Sequence, residues 1–201
     1  MMIKMGFKRL TALTITATMM GVLMAPGLTS QAASPAGKVV SSAVTSAANV
    51  KKLNASVSID APPSYVWQTL TSYEQLQHFV PSYKKSRLKS NDGANKVLDI
   101  VLKVSRLLPS YNYQMKVHEN RGAYQIDCNR VSGDFEYLKA KYKLYPKDNG
   151  RRTTLVYNLQ INPGLSLPGV DRMLTSNTKD TLKAIQTHSE KKHRQSMIGK
   201  R

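Results

Sequence analysis

The sequence predicts an α+β domain in which consecutive antiparallel strands form a sheet that packs against one long C-terminal helix. Apolar and polar residues alternate along most of residues 53–161, which is the period of strands with one buried face. Short turn-forming groups such as Asn120-Arg121-Gly122 separate these runs, so neighbouring strands are expected to be antiparallel. After Pro168-Gly169 the apolar spacing changes to three and four residues, as in an amphipathic helix.

A strand and two short helices are predicted at the start of this domain. The apolar face of the strand carries Leu53, Ala55, Val57 and Ile59. A helix is expected to start at Pro62-Pro63, because proline at the first helical position loses no intrahelical hydrogen bond. Asp60 is expected to cap this helix by accepting hydrogen bonds from its free amides. A second short helix, containing Leu76 and Phe79, is expected to end before Pro81.

A meander of strands is predicted next. A basic strand over residues 82–89 and a turn at Asn91-Asp92-Gly93 come first. The apolar faces that follow are Leu98, Ile100, Leu102 and Val104; Tyr111, Tyr113, Met115 and Val117; Tyr124, Ile126 and Cys128; Leu138, Ala140, Tyr142 and Leu144; and Leu155, Tyr157, Leu159 and Ile161. The C-terminal helix is expected to cover this apolar face with Val170, Met173, Leu174, Leu182 and Ile185.

The stretch from Ile59 to Tyr83 carries a family resemblance. It has a strand, two short helices and then strands, with Trp67 after the first strand and Phe79-Val80-Pro81 closing the second helix. In these features it resembles the START-like (SRPBCC) ligand-binding superfamily, specifically its polyketide cyclase/dehydrase and coenzyme-Q-binding branch. The resemblance covers residues 53–190. It implies the helix-grip fold of START and Bet v 1-like proteins, a curved sheet wrapped around the long C-terminal helix.

Residues 1–32 have the features of a secretory signal peptide. Three cations, Lys4, Lys8 and Arg9, precede an uncharged apolar run over residues 10–25, which is too short to span a bilayer comfortably. Ser30-Gln31-Ala32 supplies the small residues that a signal peptidase needs. We therefore expect cleavage near Ala32 and an exported protein, periplasmic or secreted; an uncleaved anchor is the alternative.

The rest of the chain is divided into three segments. Residues 33–52, rich in Ser, Ala and Val without clear periodicity, are expected to form a flexible lead-in. Residues 53–190 are expected to form one ligand-binding domain with a full core, and residues 191–201 a basic tail. The formal charge of +18 favours association with anionic surfaces but does not indicate which surface.

Cys128 is the single cysteine of the chain, so no intrachain disulfide can form even in an oxidising compartment. It has the strand parity of Tyr124 and Ile126. This position predicts an inert buried thiol rather than a reactive one.

Polar groups on the predicted inward faces indicate where a ligand would bind. Tyrosines are frequent there, and a tyrosine in a fully packed core needs a partner for its hydroxyl. This pattern is typical of a small-molecule cavity, and a packed core with hydroxyls at its edges is the alternative. The candidate ligand-binding residues are Trp67, Phe79, Tyr113, Met115, Tyr124, Tyr142, Tyr157, Met173, Asn177 and Thr181. Trp67 and Phe79 are equally explained as core residues.

The sequence contains no recognisable set of catalytic residues. His78, near the end of the second helix and close to the predicted pocket rim, is the one candidate general base. His118 shares the parity of the wet sheet face, where a solvated histidine is the expected state. His188 and His193 are five residues apart, whereas metal-binding pairs on a helix are three or four apart. Neither a metal nor a cofactor is expected.

The basic residues indicate what the surface can bind. They form three groups: Lys139, Lys141 and Lys143; Lys84, Lys85, Arg87 and Lys89; and Lys191, Lys192, Arg194, Lys200 and Arg201. Aromatic residues do not alternate with the last group, so this group lacks side chains on which nucleic-acid bases could stack. Nucleic acid is therefore not an expected partner. An anionic membrane surface, which attracts nearby cations by about 1 kcal/mol each, is one interpretation, and a merely soluble basic face is the other.

Three functions remain compatible with these patterns. The first is an exported, non-catalytic domain that binds a hydrophobic small molecule, such as a lipid, an isoprenoid or a quinone-like compound. The second, implied by the resemblance, is a cyclase or dehydratase in which His78 or a buried acid points into the cavity. The third is an envelope-associating protein that acts through its basic surface and needs no cavity.

Overall fold

The computed structural model describes residues 39–41, 45–47, 49–106, 108–164 and 168–198. The predicted signal peptide over residues 1–32 lies outside the described residues, and so does the predicted cleavage site. None of the helices in the described part of the chain has the length and apolar character that a membrane crossing requires.

From residue 50 onward, the order of the elements is the one that the sequence predicts. The strands are β1 (Val40–Ser41), β2 (Thr45–Ala47), β3 (Val50–Ile59), β4 (Tyr83–Asp92), β5 (Asn95–Leu102), β6 (Tyr111–Asn120), β7 (Gln125–Gly133), β8 (Tyr137–Lys147) and β9 (Arg152–Asn162). The helices are α1 (Pro63–Thr71), α2 (Leu76–Phe79) and α3 (Val170–Ile198), and a 3-10 turn over Tyr73–Gln75 leads into α2.

One antiparallel sheet contains all the described strands, in the order β1-β3-β9-β8-β7-β6-β5-β4, with β2 also paired to β3. Bulges shift the register between β4 and β5 and between β6 and β7. Such bulges bend a strand and increase its twist, which helps the sheet to curve around α3. This curved sheet with its long C-terminal helix is the helix-grip fold, and the α+β prediction is confirmed.

The core lies between the concave sheet face and α3. Strand β6 shows the expected alternation, with Tyr111, Tyr113, Met115 and Val117 buried and Asn112, Lys116 and His118 exposed. The buried face of α3 is formed by Val170, Leu174, Thr178, Thr181, Leu182, Ile185, Gln186 and Ser189, spaced by three and four residues in most steps. The apolar face of α3 therefore covers the apolar face of the sheet, as the sequence predicts.

The flexible lead-in predicted over residues 33–52 is wrong for part of its length. Strands β1 and β2 pair with β3, and β3 itself starts at Val50 instead of Leu53. Two and three paired residues are too short for a sequence period to be visible. Their backbone groups form hydrogen bonds with a neighbouring strand. Such pairing depends on a distant segment and cannot be predicted from the local sequence. The rest of this segment lies outside the described residues.

The basic tail predicted from residue 191 is also corrected. Helix α3 continues without interruption to Ile198, and the hydroxyls of Tyr65 and Ser196 are 2.6 Å apart. The residues of this segment include good helix formers such as Lys, Arg and Gln, and contact with α1 holds the last turns in place. Residues 199–201 lie outside the described part.

Asp60 does not cap α1 as predicted. The cap residue is Pro62, and no side chain caps it. The carboxylate of Asp60 instead pairs with Arg152, with 2.7 Å between Oδ1 and Nε. A guanidinium in reach offers a charged donor, which binds a carboxylate more strongly than neutral amides do.

Strand β4 is an edge strand that is partly covered by side chains of the preceding segment. Gln77 Oε1 accepts a hydrogen bond from the Ser86 N–H at 3.2 Å, and Glu74 Oε1 accepts one from the Leu88 N–H at 3.4 Å. These contacts occupy backbone donors that would otherwise be available to another strand. The strand is longer than residues 82–89, and its turn lies at Gly93-Ala94, one to two residues later than predicted.

Candidate functional site

A cavity lies between the concave sheet face and the N-terminal half of α3. The volume between its lining atoms, including the open mouth, is about 870 Å³. Val104 and Leu108 from the β5–β6 connection, and Pro163 from the β9–α3 connection, contribute to its walls. We call it the larger cavity. This volume includes open solvent at the mouth, so the enclosed part of the cavity is smaller.

Seven of the predicted ligand-binding residues line the larger cavity. They are Tyr113, Met115, Tyr142, Tyr157, Met173, Asn177 and Thr181. The strand residues are there because side chains of one parity point to the same face of the sheet. The helix residues are there because positions three and four apart share one side of α3.

Four tyrosines of the larger cavity form a connected group, which we call the tyrosine cluster: Tyr83, Tyr113, Tyr142 and Tyr157. Electrostatic interactions link Tyr83 to Tyr113 and Tyr157 to Tyr142 within this buried group. The rings of Tyr142 and Tyr157 are 4.6 Å apart. In this low-polarity interior each hydroxyl needs a hydrogen-bond partner, either in the protein or in a ligand.

Burial controls the protonation of the cluster. Removal of the hydroxyls from water raises the pKa of Tyr83 to about 12 and raises the pKa of Tyr113, Tyr142 and Tyr157 above the ordinary value. The same cause raises the pKa of the Cys128 thiol to about 12. These groups are uncharged at neutral pH, and the prediction of a buried, inert thiol is consistent with this state.

Tyr83 is a lining residue that parity along the sequence does not identify. Tyr83 pairs with Leu102, and Ser86 pairs with Ile100, so both face inward although they are three residues apart. A bulge at Lys84 accounts for the extra residue, because it shifts the register between Tyr83 and Lys85. The one feature of the sequence that sets Tyr83 apart is its position as an aromatic residue at the start of an otherwise basic strand.

Stacked aromatic rings form one wall of the larger cavity. Phe135 stacks on Tyr111 with 4.5 Å between ring centroids and meets Tyr113 edge-on at 5.0 Å. Phe135 is 2% exposed and lies in the β7–β8 connection. Sequence periodicity gave no reason to select it, because it is not part of an alternating strand.

A second, smaller cavity of about 410 Å³ lies behind the tyrosine cluster. It is lined in part by Leu70, Tyr73, Leu76 and Ile185, which belong to α1, the segment after it, and α3. The two cavities share the lining residues Tyr83, Met115, Cys128, Tyr142 and Thr181. Part of the tyrosine cluster thus lies between the two spaces.

Trp67 and Tyr124 line neither cavity, contrary to prediction. Trp67 is 4% exposed and belongs to the packed core, which is the alternative that the sequence left open. Tyr124 lies in the turn before β7 at φ 49°, so strand parity does not apply to it. Its ring contacts Trp67 edge-on, with 6.1 Å between centroids.

Phe79 and His78 are also outside both cavities. Phe79 stacks on His188 with 4.1 Å between ring centroids, next to a surface groove between α2 and α3. His78 is exposed on α2. Phe79 was a candidate ligand-binding residue and His78 was expected close to the pocket rim, but neither lines a cavity, because α2 packs against β4 and α3.

The lining chemistry is that of a binding site made of uncharged groups. Among the described residues that line the larger cavity, none is an Asp, Glu, His, Lys or Arg. Within the described ranges, no group of three or more His, Cys, Asp or Glu side chains could hold a metal ion. The cavity offers hydrogen bonds and apolar contacts, but no carboxylate or imidazole for proton transfer.

Comparison with known proteins identifies the family. The family model described as "Polyketide cyclase / dehydrase and lipid transport" matches residues 59–180, more than half of the chain. The chain belongs to this family. The predicted membership in the START-like (SRPBCC) superfamily is thereby confirmed, and its members bind hydrophobic small molecules or lipids.

Several individual proteins resemble this member of the polyketide cyclase/dehydrase and lipid transport family. The Ribosome association toxin RatA of Rickettsia prowazekii (strain Madrid E) is 28% identical over 97 residues, which are 48% of this chain. The chain spans 64% of the length of that relative.

Solved structures share the fold of this family member. A START superfamily protein from Mycobacterium smegmatis has a TM-score of 0.57 at 17% identity, over 72% of this chain and 97% of the other. The Zhui aromatase/cyclase from Streptomyces sp. R1128 has a TM-score of 0.61 at 14% identity, over 70% of this chain and 94% of the other. At these identities the likeness concerns the fold.

Proposed function

We propose that this chain binds a hydrophobic small molecule, such as a lipid or a quinone-like isoprenoid, in the larger cavity without changing it chemically. The larger cavity is the observation that carries this proposal. Its walls are mostly apolar, and its few polar groups converge from the sheet and from α3. Such an arrangement is typical of small-molecule sites.

Native mass spectrometry of the purified full-length chain tests this proposal. We expect an additional mass that organic solvent releases as a lipid-like compound. A variant that fills the larger cavity, Ala140→Leu, should lose this mass, because Ala140 is a lining residue of β8. Ala184→Leu makes the same substitution beside the surface groove and should keep it. A chain that never retains a ligand, alone or after exposure to lipid extracts, would contradict the proposal.

We further propose that residues 1–32 direct export of this protein, with cleavage near Ala32. The support is the cationic start, the uncharged run over residues 10–25 and the small residues at Ser30-Gln31-Ala32. Measuring the intact mass of the protein from the envelope or medium of its host tests this. A full-length chain confined to the cytoplasm would contradict it.

Catalysis as a cyclase or dehydratase has less support than binding. The structural likeness to an aromatase/cyclase favours it at the level of fold. The predicted general base His78, however, is exposed and away from both cavities. A catalytic role would have to use tyrosine or cysteine groups whose pKa burial has raised. Turnover of a polyketide-like substrate that survives His78→Gln but not Tyr142→Phe would establish it.

Association with an anionic membrane surface is a second function that a specific observation favours. Lys84, Lys85, Arg87 and Lys89 are all exposed on the edge strand β4. Near a charged bilayer each cation contributes about 1 kcal/mol. Because residues 191–198 are part of α3, deleting them would damage the fold as well as the charge.

Charge reversal on β4 therefore tests membrane association better than truncation. The variant with Lys85, Arg87 and Lys89 all replaced by Glu should sediment less with vesicles that contain phosphatidylserine. Reversal of Lys147 and Arg151, which lie at the β8–β9 turn, serves as the control. Equal binding by both variants would contradict a role for this strand.

A further inference from the structure

The polar side chains of the larger cavity have one property in common, which is that none carries a charge at neutral pH. Among the described lining residues the polar groups are tyrosine hydroxyls, the threonine hydroxyls of Thr178 and Thr181, the amide of Asn177 and the thiol of Cys128. A site that binds a carboxylate or phosphate ordinarily provides an arginine or a lysine, and the described lining contains neither. The first turn of α3 reaches the cavity through Val170 and Met173, which have apolar side chains.

We propose, on the basis of the function proposed above, that the ligand is a neutral amphiphile whose carbonyl or hydroxyl group binds the tyrosine cluster while its apolar part fills the larger cavity. Fatty acids and phospholipids are thereby excluded as preferred ligands.

Hydrogen-bond stoichiometry supports this assignment. A tyrosine hydroxyl has one proton to donate and two lone pairs to accept with. Tyr83, Tyr113, Tyr142 and Tyr157 all line the larger cavity. The O–H protons of this cluster can therefore donate to an uncharged oxygen of a ligand.

The position of the cluster supports it as well. Tyr83 and Tyr142 line both cavities, and so does Thr181 across from them on α3. Leu138 and Leu159 are among the apolar residues that line the larger cavity but not the smaller one. A molecule with one polar end and an apolar body matches this division.

The cost of burying charge excludes anionic ligands. Transfer of an ionised carboxylate from water to an apolar interior is expensive unless a cation compensates it. The loss of water that raises the pKa of Tyr113 and Tyr142 acts equally on a ligand carboxylate beside them. A neutral ketone needs only the hydrogen bonds that the cluster can give.

A matched pair of ligands tests the inference on the unaltered full-length chain. Binding of a long-chain methyl ketone and of the fatty acid of equal chain length is measured by isothermal titration calorimetry at neutral pH, where the acid is ionised. Ala140→Leu is titrated in parallel to subtract binding outside the larger cavity. We expect the ketone to bind at least about a hundredfold more tightly than the fatty acid.

Removal of individual hydroxyls tests the role of the cluster. Tyr142→Phe and Tyr83→Phe should each weaken binding of the ketone by roughly threefold to tenfold. Tyr145→Phe is the matched control, since Tyr145 lies on the same strand as Tyr142 but is 46% exposed. This control should bind like the unaltered chain.

The outcomes separate this inference from the proposed function. If the fatty acid binds as tightly as the ketone, or if both cluster variants bind the ketone unchanged, the inference is overturned and the binding function stands. If neither ligand binds, or if Ala140→Leu binds both as well as the unaltered chain, the proposed function fails and the inference fails with it.

Discussion

The two halves of α3 contact the same sheet in different ways. Residues 170–181 face the larger cavity and bury hydroxyls among apolar groups. Residues 182–196 lie outside the larger cavity, with Leu182 and Ile185 at 0% and 1% exposure, and of these two only Ile185 borders the smaller cavity. Gln186 in this second half has a defined partner, because its Nε2 donates to the Ser58 carbonyl at 3.0 Å. The buried Oγ of Ser189 has none among the described residues.

The difference shows that one helix performs two tasks. The C-terminal half fixes the helix on α1 and β3, with further contacts from Glu190 to the Asp60 N–H at 3.1 Å. This anchoring allows the N-terminal half to leave space uncovered without loss of the fold. Stability and binding are therefore expected to respond to substitutions in different halves.

The largest expected effect compares two leucines of α3. Leu182→Ala should lower the free energy of unfolding by about 3 to 4 kcal/mol, because it leaves a void in a closely packed region. Leu174→Ala should cost about 1 to 2 kcal/mol, because Leu174 already borders the larger cavity. Urea unfolding followed by circular dichroism measures both. Equal losses would show that the two halves are packed alike.

A second substitution tests how closely the backbone approaches the cavity wall. Gly133 has φ +111°, and a Cβ there would collide with the Asn112 carbonyl and with Tyr113. Gly133→Ala should therefore destabilise by roughly 3 kcal/mol and weaken ligand retention through displacement of Tyr113.

Gly150→Ala is the control for this substitution. Gly150 also has positive φ, +79°, but nothing lies within 4 Å of its added Cβ. Its cost should be about 1 kcal/mol, from backbone conformation alone, with ligand retention unchanged. A similar effect of both substitutions would contradict the collision at Tyr113.

The anchoring of the C-terminal half is tested at Gln186. Gln186→Ala removes a buried donor and leaves the Ser58 carbonyl without this partner, so unfolding should become about 2 kcal/mol easier. Lys183→Ala removes only the exposed amine that bonds Gln186 Oε1, and should change stability by less than about 0.5 kcal/mol. Thermal unfolding compares the two. If the lysine variant is the less stable one, the anchoring contact has been assigned to the wrong residue.

The smallest expected effect is a dependence of the free energy of unfolding on pH, which arises from His188. Partial burial lowers the pKa of His188, and the charges of Lys192 and Lys191 lower it further. The neutral form is favoured in the folded state, so its contribution is complete above the unfolded pKa near 6.5 and decreases as the pH falls toward the lower folded value.

His188→Phe keeps a ring on Phe79 and removes this titration. The loss of stability between neutral and mildly acidic pH should therefore be slightly smaller in the variant than in the unaltered chain. Unfolding free energies at several pH values measure the difference. A larger loss in the variant would mean that the protonated histidine is favoured on folding.

The candidate site was predictable where a regular period holds. Tyr113, Tyr142 and Tyr157 were selected from strand parity, and Met173 and Thr181 from helical spacing, and all five line the larger cavity. Their inward position was predictable because strand and helix periods determine which residues share a face, and their role in ligand binding stays a prediction.

The candidate site was not predictable where the backbone departs from a period. Tyr83 was missed because a bulge at Lys84 changes the parity of β4. Tyr124 was placed wrongly because its left-handed turn conformation directs it toward Trp67. Phe79 and His78 were placed wrongly because the packing of α2, rather than its sequence, decides which surface it covers.

The sequence by itself determined the α+β class, the order of strands and helices, and the apolar faces, because periodicity and turn residues are local properties. Only the tertiary structure decided that β1 and β2 join the sheet, that α3 continues to Ile198, and that four tyrosines meet in one cluster. These features depend on contacts between residues far apart in the chain. The space left between the sheet and α3 is set by curvature and bulges, which no single segment specifies.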